Sequence, residues 1–151
     1  MISITEETQH SLEAIALLTE SVAFTHLLYE EEKNHTYNLD KINAFFMVRK
    51  NGEPIGCGAY SWVGEYYVEI KHIFLDENAR GFGCGKKLMQ YIEEHAINAG
   101  AEIAILETTL KQNAAISLYL SMGYSYIEPY QAVAHAEQVF MSKPFPVIPI
   151  D

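Results

Sequence analysis

Three glycines at alternate positions, Gly81, Gly83 and Gly85, stand between Arg80 and the pair Lys86 and Lys87. Without a Cβ at those points the backbone can bend into conformations closed to other residues and bring its N–H groups close to a ligand. From Leu88 onward apolar residues recur at Leu88, Tyr91, Ile92, Ala96 and Ala99, the spacing of an amphipathic helix. The run Val68 to Leu75 before the loop is strand-like, so the glycines fall where a strand ends and a helix begins. Free N–H groups and the positive end of the helix dipole make such a junction an anion site. The chemistry these residues point to is the binding of a phosphate or pyrophosphate; the plainer alternative is a glycine-rich surface turn flanked by basic residues.

Spacing narrows the ligand. A P-loop would need Gly at position 80 and Ser or Thr at position 87, where the chain has Arg80 and Lys87. The dinucleotide fingerprint needs a third glycine where the chain has Lys86 or Leu88, depending on the starting glycine. The segment does fit Arg/Gln-x-x-Gly-x-Gly/Ala, as Arg80, Gly83 and Gly85. Downstream, Asn113-Ala114-Ala115-Ile116-Ser117-Leu118-Tyr119 leads to Gly123-Tyr124, which fits Asn-x-x-Ala/Ile-x-Leu-Tyr-x-x-x-Gly-Tyr/Phe. In both segments, and in their order, the chain resembles the GNAT superfamily of acetyl-CoA-dependent N-acetyltransferases.

That resemblance implies a set of roles. Arg80, Gly81, Phe82, Gly83, Cys84, Gly85 and Lys86 would hold the pyrophosphate of acetyl-CoA. The strand end Ile73, Phe74 and Leu75 would bind its pantetheine arm, with the N–H groups of Ile73 and Leu75 on the arm and the thioester carbonyl. A thioester oxygen held by a fixed N–H is polarised for attack. Asn113 would bond the cofactor arm or a water, and Tyr119 would donate a proton to the departing thiolate, for which a phenol is suited. Direct attack also needs a base for the amine proton; Glu69 is the candidate, His72 its rival. The first helices would roof the acceptor site, making Phe24, His26, Tyr29 and Glu30 to Glu32 candidates for acceptor contact. Read without the resemblance, Tyr119 is a half-buried aromatic on an amphipathic helix, and the others are core or solvated surface.

The elements that must position these residues follow from local pattern. Ile2 to Thr5 alternates as a short edge strand. Leu12, Ile15, Ala16, Leu18 and Val22 recur at helical intervals, predicting one or two helices through about Tyr29. Phe45 to Arg49 and Pro54 to Trp62 are strands joined through Asn51-Gly52, a strong hairpin signal. Gly56 and Gly58 inside the second suggest close packing of another backbone or a bend. In the third run Val68 and Ile70 set an apolar face, yet Ile73 and Leu75 continue in the opposite phase, as a one-residue β-bulge would cause. Because Phe74 is also apolar, full burial of the strand end explains the pattern nearly as well; the resemblance implies the bulge. A helix from Lys86 to Asn98 ends at Gly100, and Ile103 to Leu106 is a buried strand. Strand, helix, strand requires a parallel pair. The last helix stops at Gly123 and buries either Ala115, Leu118 and Met122 or the stripe of Ile116, Tyr119 and Leu120. Tyr124 to Tyr126 and Gln138 to Ser142 supply the last strands. The expected fold is α/β: a mixed central sheet, antiparallel in its N-terminal half, with a central parallel pair and helices flanking it; the resemblance implies that this pair is splayed around the cofactor.

With 151 residues, the chain is one domain's length, expected to run 1–151. A net charge of −10 opposes a nucleic-acid partner and is compatible with a cationic small-molecule amine as acceptor. Cys57 and Cys84 are neither a metal-spaced pair nor a disulfide framework, and no long apolar run is present, so a cytoplasmic protein without membrane contact is expected. None of the six histidines forms a ligand pair, and no metal is assigned. Neither cysteine lies where a nucleophile would be needed, so a ternary complex without an acyl-enzyme is expected. In the proline-rich tail, Phe145, Val147, Ile148 and Ile150 need an apolar surface on this chain or a second copy, which leaves a homodimer open. The competing readings are a non-catalytic acyl-CoA-binding or interaction module and, third, a nucleotide-binding protein.

Overall fold

The computed structural model describes residues 1–28 and 39–146. Its front half is the expected meander. Strand β2 (Ala44–Lys50) turns into β3 (Glu53–Trp62) through Asn51 and Gly52, both at positive φ (51° and 87°). That pair of left-handed residues makes a two-residue turn whose twist matches the strands it joins. Strand β1 (Ile2–Glu7) lies antiparallel on the outer side of β2, and β4 (Tyr67–Leu75) antiparallel on β3. The second half adds β5 (Ile103–Thr109), β6 (Ser125–Ile127) and β7 (Gln138–Pro144), giving one seven-stranded sheet in the order β1-β2-β3-β4-β5-β7-β6. Only β4 and β5 run parallel, and they are paired over just Tyr67–Glu69 and Ile103–Ile105. Beyond Glu69 they part.

Helix α1 (Leu12–Leu28) covers one face of the sheet; α2 (Cys84–Asn98) and α3 (Asn113–Ser121) cover the other. Ser11 caps α1, its Oγ accepting from Ala14 N at 3.0 Å. The helix buries Ala14, Leu17 and Leu18 against Phe45, Met47, Cys57 and Ala59, whereas Leu12 is 86% exposed. The expected face through Leu12, Ile15, Ala16, Leu18 and Val22 is thus rotated. The helix is apolar on nearly every side, so periodicity alone does not select the packed stripe. On the opposite face α2 inserts Leu88, Met89, Ile92 and Ala96 among Phe46, Val48, Val68, Ile70, Ala104 and Leu106. Each such side chain contributes about 1.5–3 kcal/mol on burial.

Helix α2 begins at Cys84, two residues before the expected start, because Gly83 at φ 65° serves as its N-cap. It closes at Gly100 (φ 105°), where Ala101 N reaches back to Ala96 O (2.9 Å) and Gly100 N to Ile97 O (3.0 Å), the Schellman pattern. Phe145 is buried and its N–H donates to Glu102 O at 2.8 Å, so the first apolar residue of the tail finds its surface on this chain. Val147, Ile148 and Ile150 lie outside the described residues.

Candidate active site

Hydrogen bonds at the two ends of β4 fix which of its backbone groups face the cleft. Val63 N donates to Tyr67 O at 3.0 Å, so odd-numbered residues early in β4 turn toward β3. Asp76 N donates to Ile55 O at 2.9 Å, so past the strand's end the even-numbered ones do. The parity changes because the register slips by one residue, with His72 and Ile73 opposite Gly58. That is the expected bulge, and His72 takes a φ of 57° to make it. Ile73 and Leu75 therefore turn their N–H groups away from β3, to the side where β5 has parted. Their side chains rejoin Val68 and Ile70 in the α2-side core, while Phe74 points to the α1 side. Gly56 and Gly58 make room: a Cβ on Gly58 would lie 2.7 Å from Ile73 Cδ1 and 2.8 Å from Ile92 Cδ1, and one on Gly56 2.8 Å from Phe74 O.

The chain then bends through a 3₁₀ turn at Glu77–Ala79, capped by the Asp76 carboxylate, into the glycine loop. Gly81 and Gly83 sit at φ 82° and 65°, left-handed conformations that glycine adopts without steric cost. Gly85 is needed for a different reason: its Cβ would approach Leu118 Cδ2 of α3 to 3.1 Å. The first helical bond of α2 runs from Lys87 N to Gly83 O, which leaves the N–H groups of Cys84, Gly85 and Lys86 without intrahelical acceptors. A hollow of about 320 Å³ opens here, lined by Leu75, Asp76, Ala79, Arg80, Gly83 and Gly85. Arg80, Lys86 and Lys87 have no carboxylate partner among the described residues, whereas Arg49, Lys71 and Lys143 each have one. Lys50 Nζ lies 4.6 Å above the Phe82 ring, adding a fourth cation at this end. Free N–H groups, a helix N-terminus and unneutralised cations around a hollow fit a pyrophosphate.

Helix α3 places Tyr119 through its own terminus. Tyr124 N donates to Tyr119 O (3.0 Å) and Gly123 N to Leu120 O (3.2 Å), with Gly123 at φ 98°. The Tyr119 and Tyr124 rings, 5.9 Å apart, supply the apolar contact that accompanies a Schellman motif. The Tyr-x-x-x-Gly-Tyr spacing is thus a helix stop that fixes the phenol. Tyr124 is itself held by Glu93, whose carboxylate accepts from Tyr124 Oη (2.7 Å) and Lys143 Nζ (2.8 Å). Tyr119 is 5% exposed, its hydroxyl donates to no described residue, and burial pushes its pKa up to about 12. The buried pair on α3 is Ile116 and Tyr119; Leu120 is 46% exposed, and Ala115, Leu118 and Met122 are only partly buried. Asn113 opens the helix and is exposed.

The opposite face of the splayed strands carries the carboxylates. Glu69 is opposite Ser61 on β3 and Ile105 on β5. Its carboxylate accepts from Tyr130 Oη at 2.8 Å and lies 3.4 Å from Lys71 Nζ. Glu107, two residues past Ile105 on the same face, accepts from Gln131 Nε2 at 2.7 Å and from Gln138 Nε2. Phe24 of α1 packs on Phe74 with centroids 6.3 Å apart, so it reaches this face. Tyr29 and Glu30 to Glu32 lie outside the described residues, as does the side chain of His26. His72 sits in the bulge, its carbonyl 3.4 Å from Cys57 Sγ. Burial pushes the Cys57 thiol up to about 12, and Cys84 is buried as well. Among the described residues no group of His, Cys, Asp or Glu is placed to hold a metal, and no helix is long and apolar enough to cross a membrane. Tyr130, Gln131 and Lys50 are the residues the sequence reading missed. Each reaches the site from a distant part of the chain, and no local pattern marks it.

Comparison with known proteins agrees with this geometry. Residues 9–124 match the acetyltransferase (GNAT) family. The chain is 30% identical over 149 residues to an IAA acetyltransferase of Azospirillum brasilense, covering 95% of this chain and 97% of that one. A solved structure from Klebsiella pneumoniae superposes with a TM-score of 0.80 at 29% identity, over 95% of this chain and 97% of the other. A GNAT acetyltransferase from Elizabethkingia anophelis, solved with acetyl-CoA bound, superposes with a TM-score of 0.72 at 17% identity, over 95% and 98%. The chain belongs to the acetyltransferase (GNAT) family, and its acyl donor is acetyl-CoA.

Proposed function

We propose that the chain moves the acetyl group of acetyl-CoA to the primary amine of a small molecule, by direct attack in a ternary complex. Ile73 and Leu75 N–H groups, turned into the cleft by the bulge, would hold the pantetheine arm and polarise the thioester carbonyl. Gly81 to Lys86, with Arg80, would bind the pyrophosphate, and Asn113 the arm or a water. As the amine nitrogen bonds to the carbonyl carbon and the carbon–sulfur bond breaks, Glu69 takes the amine proton, directly or through water. Tyr119 supplies a proton to the sulfur. The observation that carries this reading is the Tyr119 hydroxyl, on a buried residue and without a hydrogen-bond partner among the described residues, at the end of a signature helix. Buried hydroxyls are normally bonded, and this one retains its proton throughout the neutral range. Both cysteines are buried, and burial pushes the Cys57 thiol up to about 12, which favours direct transfer over an acyl-enzyme. A small acceptor accords with the name of the Azospirillum relative.

Thermal melting with acetyl-CoA, CoA, ATP and NAD in parallel tests the donor site. A ligand at a hundredfold excess over its Kd adds about 2.7 kcal/mol, a shift of several degrees. Acetyl-CoA and CoA are expected to produce it, and a panel of small amines then to release CoA. In the Glu69→Gln variant release is expected to fall by about 10²-fold or more with the CoA shift retained. Binding of CoA with no release on any amine would favour the non-catalytic acyl-CoA module instead.

A further inference from the structure

We propose that Tyr130, on the connection between β6 and β7, is a positioning residue for the base Glu69 and fixes the orientation of its carboxylate for proton abstraction. The inference rests on the reading of Glu69 as base. Tyr130 Oη donates to Glu69 Oε2 at 2.8 Å across 61 positions of sequence, so the contact is made by the fold and not by local geometry. Its ring is fixed edge-on against Phe140, centroids 4.9 Å apart, and Phe140 is itself 2% exposed. Phe140 is opposite Glu107 on β5, so the anchor stands on the face that carries both carboxylates. Gln131, the next residue, bonds Glu107 at 2.7 Å. Two consecutive side chains of one connection thus take hold of the two carboxylates flanking the place where β4 and β5 part.

Among the described residues, the charged and titratable groups around Glu69 are Lys71 on its own strand (3.4 Å), Tyr130 and, beyond Tyr130, Glu107. Tyr130 is pushed above its ordinary range, first by burial and then by the Glu69 charge, so its phenol stays a donor across the working range of pH. With Oε2 bonded to Tyr130, the carboxylate's rotation is fixed, and Oε1, 3.4 Å from Lys71 Nζ, is the oxygen presented to an amine or a water.

The test is kcat at saturating acetyl-CoA and saturating amine, the amine being one found in the panel above, measured in the wild type and in the Glu69→Gln background. For Tyr130→Phe, which keeps the ring on Phe140, kcat is expected to fall by about tenfold or more. The KM for acetyl-CoA and the melting temperature should stay near the wild-type values. In the Glu69→Gln background the same substitution should have no further effect, because the hydroxyl acts through the carboxylate. A Tyr130→Phe kcat equal to that of the wild type, while Glu69→Gln loses turnover, would overturn the proposal and leave the base intact. An equal fall in both backgrounds would also overturn it, by showing that the hydroxyl acts otherwise than through Glu69. Full turnover in Glu69→Gln would overturn the base assignment itself.

Discussion

Tyr119 is 5% exposed, and its hydroxyl has no hydrogen-bond partner among the described residues, which stands against the usual rule for buried polar atoms. Leaving such a hydroxyl unpaired costs about 1–3 kcal/mol, so a purely structural Tyr119 would be better replaced by Phe. Two quantities should therefore separate in Tyr119→Phe. Its melting temperature without ligand is expected to equal or exceed that of the wild type, because the unpaired group is gone while the ring contact with Tyr124 remains. Its kcat for CoA release is expected to fall by about 10²-fold or more, the usual weight of a positioned general acid. Loss of both stability and turnover would instead make Tyr119 a packing residue whose hydroxyl has an undescribed structural partner.

Among the elements, β4 and its bulge tie the sequence to the cleft most directly. The phase slip between Ile70 and Ile73 is visible in the sequence, as are the glycines opposite it, and the structure joins the two: Gly58 has no side chain because Ile73 and Ile92 occupy the space. Gly58→Ala is expected to cost about 1–3 kcal/mol through overpacking. It should also reduce the melting shift given by acetyl-CoA, because the displaced residue, Ile73, carries one of the N–H groups turned into the cleft. A lower melting temperature with an unchanged acetyl-CoA shift would separate the bulge from the cofactor site. The glycine loop and the helix stop at Gly123 were equally legible, since each is a local backbone requirement that only a few residue types satisfy. The start of α2 was not, because its N-cap is a left-handed glycine without the polar side chain that normally marks one. Nor was the packed stripe of α1, whose apolar residues surround the helix and leave the choice to the sheet.

For the whole molecule, what the sequence conceals is pairing at long range: Tyr130 with Glu69, Glu93 with Tyr124 and Lys143, Lys50 with Phe82. These contacts distribute the few cations of an acidic chain between two tasks, leaving some bare at the glycine loop and spending others on carboxylates that join elements. Arg49 is the clearest of the second kind. From β2 it reaches Glu7 on β1 (2.7 Å) and Glu13 on α1 (2.8 Å), fastening the outer edge of the sheet to the helix that covers it. Hydrogen bonds from Arg49 hold both carboxyls below their ordinary value of 4.5. A carboxyl depressed in the folded state contributes stability above its unfolded pKa and loses it as the pH falls through the folded one. The tie should therefore act in full above about pH 5 and fade below pH 4.5. For Arg49→Met the melting temperature is expected to lie a few degrees below wild type at neutral pH, the Glu7 pair contributing at most about 1 kcal/mol after solvent screening. That gap should close as the pH is lowered progressively below about 4.5, where the wild type loses the same interaction by protonation. A gap independent of pH would assign the effect of Arg49 to its bond with the Gly52 carbonyl and to packing of its stem, with the carboxylates as bystanders.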